Sequence, residues 1–446
     1  MINRSLFMKN LLKKLIPVSL LLFYHRSLAV LAARFYNYPS EKLIVVGVTG
    51  TKGKSTTVNL IAKILEEAGF KVGLTSTVNF KISQKEWLND KKMTMLGRFQ
   101  LQKFLSRLVH NNCQYAIIET SSEGIKQGRH LGINYDAAVF TNLTPEHIEA
   151  HGSFENYKKT KGQLFEHLIM SRRKFLNNRK IDKISVINLD DQQSDYFLQF
   201  KADKIFGFGL ERKEASVFKF IKAENINISE AKTTFSINQT EFNLKLPGIF
   251  NVYNALAASA LCLSLEVDIE IIKKALEKVA VVPGRMEFIE EGQNFKVLID
   301  HAPEPNSMKQ LYRFLKIFNK NRIIHVLGSA GGGRDKTRRP ILGRLAAENS
   351  DLVIVTNEDP YDEDPEQIIE AVAEGAVLGG KILNQNLFKI LDRKEAIKLA
   401  LERAEKNDLV LITGKGAEQA MVVKNNKMIK WDDRKVAREI LKQICG

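Results

Sequence analysis

The stretch LIVVGVTGTKGKSTT, residues 43–57, decides the fold. Leu43 to Val46 is a short apolar run of the buried-strand type that ends at Gly47. From Thr57 to Glu67 apolar residues recur at helical spacing (Val58, Ile61, Leu65), and Gly69 stops the pattern. Between strand and helix lies Gly50-Thr51-Lys52-Gly53-Lys54-Ser55-Thr56. Glycines let a backbone turn so that several N–H groups face one anion, and a helix N-terminus adds positive potential. In such a loop Lys54 would reach terminal phosphates and the Ser55 hydroxyl would ligate Mg²⁺. The strict G-x-x-x-x-G-K-[ST] spacing is not met, because Val48 occupies the first glycine position. The competing reading, a chance glycine-rich turn, does not account for the flanking strand, the helix and the GKST run together.

Working outward, further buried-strand runs occur at Tyr115–Ile118, Ala137–Phe140 and Ser185–Asn188, alternating with helical stretches. That alternation predicts a mostly parallel α/β sheet. Residues 217–246 alternate polar and apolar positions and read as inserted antiparallel strands or hairpins. Val281 to Arg285 looks like a linker, and a second series follows at Val297–Asp300, Ile323–Leu327, Leu352–Thr356 and Leu409–Thr413. The expected class is α/β: a central P-loop ATPase-type domain over 41–282 and a doubly wound, Rossmann-like domain over 283–446, preceded by an apolar helical segment over 1–40.

The chain of 446 residues is 44% hydrophobic and 26% charged, as globular proteins are. Its net charge of +16 suits either a phosphate-rich small substrate near an anionic membrane or a nucleic acid. Lys and Arg are scattered and no nucleic-acid signature occurs, so no nucleic-acid partner is expected. Cys113, Cys262 and Cys445 form no CxxC, which argues against a zinc ribbon or disulfide framework and for a reducing cytoplasm. Residues 9–36 are apolar and begin with Lys9, Lys13 and Lys14, but Pro17 and His25-Arg26 interrupt them. The longest unbroken run, Leu15 to Tyr24, falls short of the roughly 20 residues that a membrane span needs. The expectation is peripheral contact with the inner face of the plasma membrane through an interfacial helix. A helix packed on the domain, or a span or signal peptide, are the alternatives.

The GTxGKS loop resembles that of the Mur ligase family, and the resemblance runs from about residue 43 to the C-terminus. It is carried by TNLTPEHIEAHGSFENYKKTKGQLF (141–165), GIFNVYNALAA (248–258), VPGRMEFI (282–289), GSAGGGRDKTRRP (328–340), TNEDPYDEDPEQI (356–368) and GKGAE (414–418). The last three resemble the tripeptide-synthetase branch. The resemblance implies an ATP-dependent ligase that joins an amino acid to a peptidoglycan-precursor peptide. Such chemistry needs activation, because a carboxylate is a poor electrophile; transfer of the ATP γ-phosphate makes an acyl phosphate that an amine then attacks. Metal ions neutralise the crowded oxygens on that route.

By this resemblance Ser55 and Glu119 hold a first Mg²⁺, and Glu119 and His147 a second. Lys161 matches the lysine that carries a carbamate, so that Lys54, Glu119, His147, Lys161 and Arg285 form the catalytic set. Gly50 to Thr56, Asn251, Asn254, Arg285 and Asp300 match ATP contacts, the last two meeting the nucleotide only when the domains close. Glu146 stands where the family usually has Asp. Ser121, Gln127 and Arg129, with Thr94 more loosely, match the carrier-peptide site; Asp359, Tyr361, Gly414 and Glu418 match the site of the incoming amino acid. Tyr361 replaces the arginine of a DNPR motif, which favours lysine over diaminopimelate, and DHAPEP (300–305) departs from DYAHTP.

The family's tripeptide synthetases carry a uridine-binding domain before the phosphate loop, and the stretch preceding Gly50 is expected to lack it, which leaves the donor's carrier open. The chain is expected to be a monomer. Three other readings compete: a folylpolyglutamate-synthase-like ligase, an amidotransferase-coupled Mur-like protein (whose zinc-binding cysteines are absent), and a non-catalytic ATP-binding scaffold.

Overall fold

The computed structural model describes residues 18–146, 148–211 and 215–445. Its first sheet has nine strands in the order Lys219–Lys222, Lys204–Gly209, Ile184–Asn188, Ala137–Phe140, Ile44–Thr49, Tyr115–Glu119, Val72–Thr75, Asn79–Ile82 and Lys85–Leu88. Neighbours pair in parallel except around Asn79–Ile82, which is antiparallel to both its neighbours. Ile44–Thr49 lies at the centre, with Val48 opposite Glu119 on one side and Thr49 opposite Phe140 on the other. Side chains alternate across a strand, so Val46 and Val48 enter one core with Val58 and Ile61, while Leu43 and Val45 enter the other with Ile118 and Phe140. Burial on both faces explains the unbroken apolar run in the sequence.

The expected helix after the loop is Lys54–Glu67, and it packs against the helix Ile249–Ser264. Parallel pairing brings the carboxyl ends of Ile44–Thr49, Tyr115–Glu119 and Ala137–Phe140 to one edge, where ligand crevices of open α/β sheets lie. The reading of 217–246 needs one correction. Lys219–Lys222 joins the main sheet in parallel, and only Glu224–Ile228, Thr233–Ile237 and Thr240–Leu244 form a separate antiparallel sheet. Alternation reports a half-buried strand but does not say which sheet it joins.

A second sheet has six strands in the order Glu287–Ile289, Lys296–Asp300, Leu409–Thr413, Ile323–Leu327, Leu352–Thr356 and Leu387–Ile390. All pairs are parallel except the first. The two edge strands have no counterpart among the four expected, being short and only partly apolar.

Val18–Phe35 is a helix. Ala29, Ala32 and Ala33 are buried, and a Cβ on Gly132 would lie 2.7 Å from the Ala29 carbonyl oxygen, so small residues seat this helix on the first domain. Leu20, Phe23, Tyr24, Leu31 and Phe35 are exposed. No helix among the described residues is long and apolar enough to cross a membrane. Residues 9–17 of the apolar segment, with Lys9, Lys13 and Lys14, lie outside the described residues.

Candidate active site

The phosphate loop is wedged between two neighbours. Gly50 and Gly53 have φ of 148° and 80°. A Cβ on Gly50 would lie 2.0 Å from Thr141 Oγ1, and one on Gly53 would lie 2.2 Å from Asn254 Oδ1, so both positions require glycine. The backbone N–H of Thr51 donates to the Asn142 carbonyl (2.8 Å), and that of Lys52 to Asn142 Oδ1 (2.8 Å). Lys54 folds back to donate to the Thr51 carbonyl at 2.9 Å. Burial lowers its ammonium pKa; Glu119 opposes the shift, and Lys52 and Arg285 add to it.

Ser55 lies in the first turn of the following helix, and its Oγ donates to Glu119 Oε2 at 2.8 Å. Glu119 ends its strand two residues before Ser121. It is pinned by Thr77, whose N–H donates to Oε2 (2.7 Å) and whose hydroxyl donates to Oε1 (3.0 Å). Thr94 Oγ1 lies 3.0 Å from that hydroxyl, which places Thr94 beside the Glu119 end of the crevice. Lys161 is 1% exposed, donates to the Gly50 carbonyl at 2.7 Å, and sits 4.5 Å from the centre of the Tyr157 ring. Burial, then the Lys54 charge, holds its pKa well below that of an ordinary lysine. It is an amine in a site where the neutral form is favoured.

Ser55 and Glu119 are therefore in contact, and Lys161 reaches the same loop from below. His147 lies outside the described residues. Among the described residues no three or more His, Cys, Asp or Glu side chains gather to hold a metal. The donors that do converge are a hydroxyl and a carboxylate, hard oxygens of the kind that Mg²⁺ takes alongside water and phosphate.

Asn251 and Asn254 lie behind the loop. Asn251 Nδ2 donates to the Pro247 carbonyl (2.9 Å), Asn254 Nδ2 donates to Asn251 Oδ1 (3.1 Å), and Thr57 Oγ1 donates to Asn254 Oδ1 (3.4 Å). Both side chains are buried, and Asn254 buttresses Gly53. Asp300 closes the linker end by accepting from the N–H groups of Met286 and Ala302, each at 2.9 Å. Burial pushes its pKa up and Arg285 pulls it down. Within the first domain Lys52 Nζ lies 2.8 Å from Glu146 Oε1, and the second domain meets the loop directly where the same ammonium donates to Ser307 Oγ at 3.1 Å.

On the carrier-peptide side, Ser121 caps the short helix Ser122–Lys126 by accepting from the Gly124 N–H. Gln127 Oε1 accepts from Arg129 Nε (3.1 Å) and Nη2 (2.6 Å), while Arg129 Nη1 donates to the Met95 carbonyl. Ser121, Gln127, Arg129 and the Thr94 segment thus form one cluster. In the second domain Asp359 accepts from Lys415 Nζ (2.8 Å) and the Val422 N–H (2.7 Å). Glu418 Oε2 lies 2.8 Å from Lys415 Nζ. Gly414 has φ 108°, and a Cβ there would lie 2.5 Å from Glu358 Oε2. Tyr361 has φ 54° and its N–H donates to the Val422 carbonyl. Of the cations near Tyr361, Arg338 pairs with Glu304, while Arg339 and Lys336 pair with Glu363. Arg334 has no carboxylate within ion-pair distance among the described residues, and it interacts electrostatically with Tyr361, Glu358 and Glu418. Sequence reasoning did not single out Thr77, Ser307, Lys415 or Lys92, a lysine that bonds Asp359 and Glu418 across the domains.

The Mur ligase middle domain matches residues 48–262, and the Mur ligase, glutamate ligase domain matches residues 284–416. A UDP-N-acetylmuramoyl-L-alanyl-D-glutamate–2,6-diaminopimelate ligase of Geobacillus thermodenitrificans is 36% identical over 437 residues, covering 96% of this chain and 85% of that protein. A solved structure of a ligase with the same name is 30% identical with a TM-score of 0.58, covering 91% of this chain and 79% of that one. Mycobacterium tuberculosis folylpolyglutamate synthase shares the fold, with a TM-score of 0.67 at 15% identity over 94% of this chain and 95% of its own. With two family domains in order and 36% identity over 96% of its residues, the chain belongs to the Mur ligase family of ATP-dependent ligases.

Proposed function

We propose that this protein adds an amino acid to a peptidoglycan-precursor peptide, UDP-MurNAc-dipeptide or a related carrier, at the expense of ATP. The observation that carries the reading is the meeting of Lys54, the Ser55–Glu119 pair and buried Lys161 at one sheet edge, with the second domain touching the loop through Lys52 and Ser307. The loop N–H groups and Lys54 hold the ATP phosphates. The peptide carboxylate attacks the γ-phosphorus, ADP leaves, and the acyl phosphate forms. The neutral amine then attacks the acyl carbon to form the C–N bond, inorganic phosphate leaves with the C–O bond pair, and the proton lost by the nitrogen passes to phosphate or solvent. Ser55, Glu119, His147 and a carbamylated Lys161 would hold Mg²⁺, which supplies charge neutralisation at the phosphoryl oxygens. Lys161 suits that role because a desolvated neutral amine can capture carbon dioxide, whereas an ammonium cannot.

Arg129 and Ser121 orient the peptide, and Asp359, Tyr361, Gly414 and Glu418 receive the amino acid. Asn251, Asn254, Arg285 and Asp300 complete the nucleotide site. The exposed apolar face of Val18–Phe35, with Arg26 and Arg34 on the same helix and Lys9, Lys13 and Lys14 before it, supports peripheral contact of a cytoplasmic monomer with anionic lipid. The deciding experiment crosses UDP-MurNAc-L-Ala-D-Glu with a panel of amino acids and follows phosphate release from ATP. Release that depends on both partners supports the ligase; release indifferent to either one refutes it.

A further inference from the structure

Asp359 and Glu418 share a pair of ammonium groups. One is resident: Lys415 is wholly buried, and its Nζ lies 2.8 Å from Asp359 Oδ1, 2.8 Å from the Ala420 carbonyl and 2.8 Å from Glu418 Oε2. The other comes from the first domain. Lys92 follows the strand Lys85–Leu88, and its Nζ lies 2.7 Å from Asp359 Oδ2 and 2.5 Å from Glu418 Oε2. Its side chain is almost fully enclosed there. Burial alone would lower the pKa of Lys92; Glu418 and Asp359 raise it, so it stays charged. Its φ of 50° is a left-handed conformation that non-glycine residues adopt at a cost. Within ion-pair distance the carboxylates of Asp359 and Glu418 face one ammonium from their own domain, Lys415, and Lys92 supplies the second.

On the ligase reading above, on which this inference rests, Glu418 is where the distal ammonium of the incoming amino acid goes. We infer that Lys92 is an internal stand-in for that ammonium: it fills the amine subsite and must be displaced by a diamino acid. Lys92 stands two residues before Thr94, which touches Thr77 beside Glu119. The segment that carries the plug therefore also borders the acyl-donor crevice, and a donor that engages this segment would withdraw Lys92 and admit the amine only when a carboxylate is ready for it.

The test uses the full chain with Lys92→Met, which keeps length without charge, and Lys92→Arg, which keeps the charge. At saturating ATP and UDP-MurNAc-L-Ala-D-Glu, the KM for L-lysine or meso-diaminopimelate falls on the order of ten-fold in Lys92→Met, because the competent fraction rises. In Lys92→Arg it stays within about two-fold of the parent, the tethered charge still competing. Calorimetry of L-lysine binding to the ADP-loaded protein follows the same order, and Lys92→Gln replaces Lys92→Met should the latter not fold. An unchanged or raised KM in a folded neutral variant overturns the plug while leaving the ligase standing. Absence of any amine-dependent phosphate release from the parent overturns the ligase reading, and the plug falls with it.

Discussion

Replacing Lys161 by Met tests the central electrostatic claim without presupposing a substrate. The side chain is 1% exposed, and its depressed pKa is caused first by burial and then by Lys54. In the unfolded chain the same amine titrates near 10.4, as a free lysine does. Between the folded and unfolded values the unfolded state binds one more proton than the folded state, so stability rises with pH through that window. The sign follows from linkage: the gain is complete above the unfolded pKa and is lost as pH falls toward the folded one. One such group gives a slope of at most about 1.4 kcal/mol per pH unit. Urea unfolding in carbonate-free buffer at pH 8.5 and 9.5 should therefore show the parent gaining more stability than Lys161→Met over that interval, by at most about 1.4 kcal/mol. Identical pH slopes would mean that Lys161 is an ordinary ammonium in the folded protein, and the carbamate proposal would lose its chemical basis. The same variant is expected to lose about a hundred-fold or more in turnover, in line with removal of a group that stabilises developing charge, and Lys161→Ala, which leaves room for an exogenous carboxylate, is expected to be partly rescued by formate or acetate.

Other expectations concern separate parts of the molecule. Lys54→Ala and His147→Ala each abolish ligation with the fold intact; near-normal turnover in either folded variant would undo the site assignment. Phe23→Glu combined with Leu31→Glu, both at exposed positions on Val18–Phe35, abolishes flotation with anionic liposomes while leaving soluble turnover unchanged, and equal flotation of variant and parent would remove the membrane role. In competition at equal concentration L-lysine is incorporated ahead of meso-diaminopimelate, and Tyr361→Arg shifts the preference toward diaminopimelate. Preferential diaminopimelate use by the parent would assign its second carboxylate to Arg334, and Arg334→Ala would then cost on the order of 2–5 kcal/mol in its binding, as truncated buried charge pairs do.

The sequence makes legible whatever chemistry compresses into a short stretch. The strand, loop and helix around Gly50 to Ser55 are contiguous, and Glu119 ends a strand whose apolar run is plain in the sequence. The place of Lys219–Lys222 was misread because a period of two marks a half-buried strand and nothing about its partner. Residues 9–36 read as one apolar stretch, yet in the helix Val18–Phe35 the side chains of Ala29, Ala32 and Ala33 are buried while those of Phe23, Leu31 and Phe35 are exposed. That division depends on Gly132, almost a hundred residues away, letting a backbone come close. Contacts between domains left no trace at all, since Lys52–Ser307 and Lys92–Glu418 join the ends of long side chains that obey no periodicity. Resemblance supplied Glu418 as the carboxylate awaiting an amine, which is half of an ion pair. Whether that carboxylate is vacant is a question about a residue 326 positions away, and there the fold adds something no motif carries: the acceptor's charge is already represented within the chain.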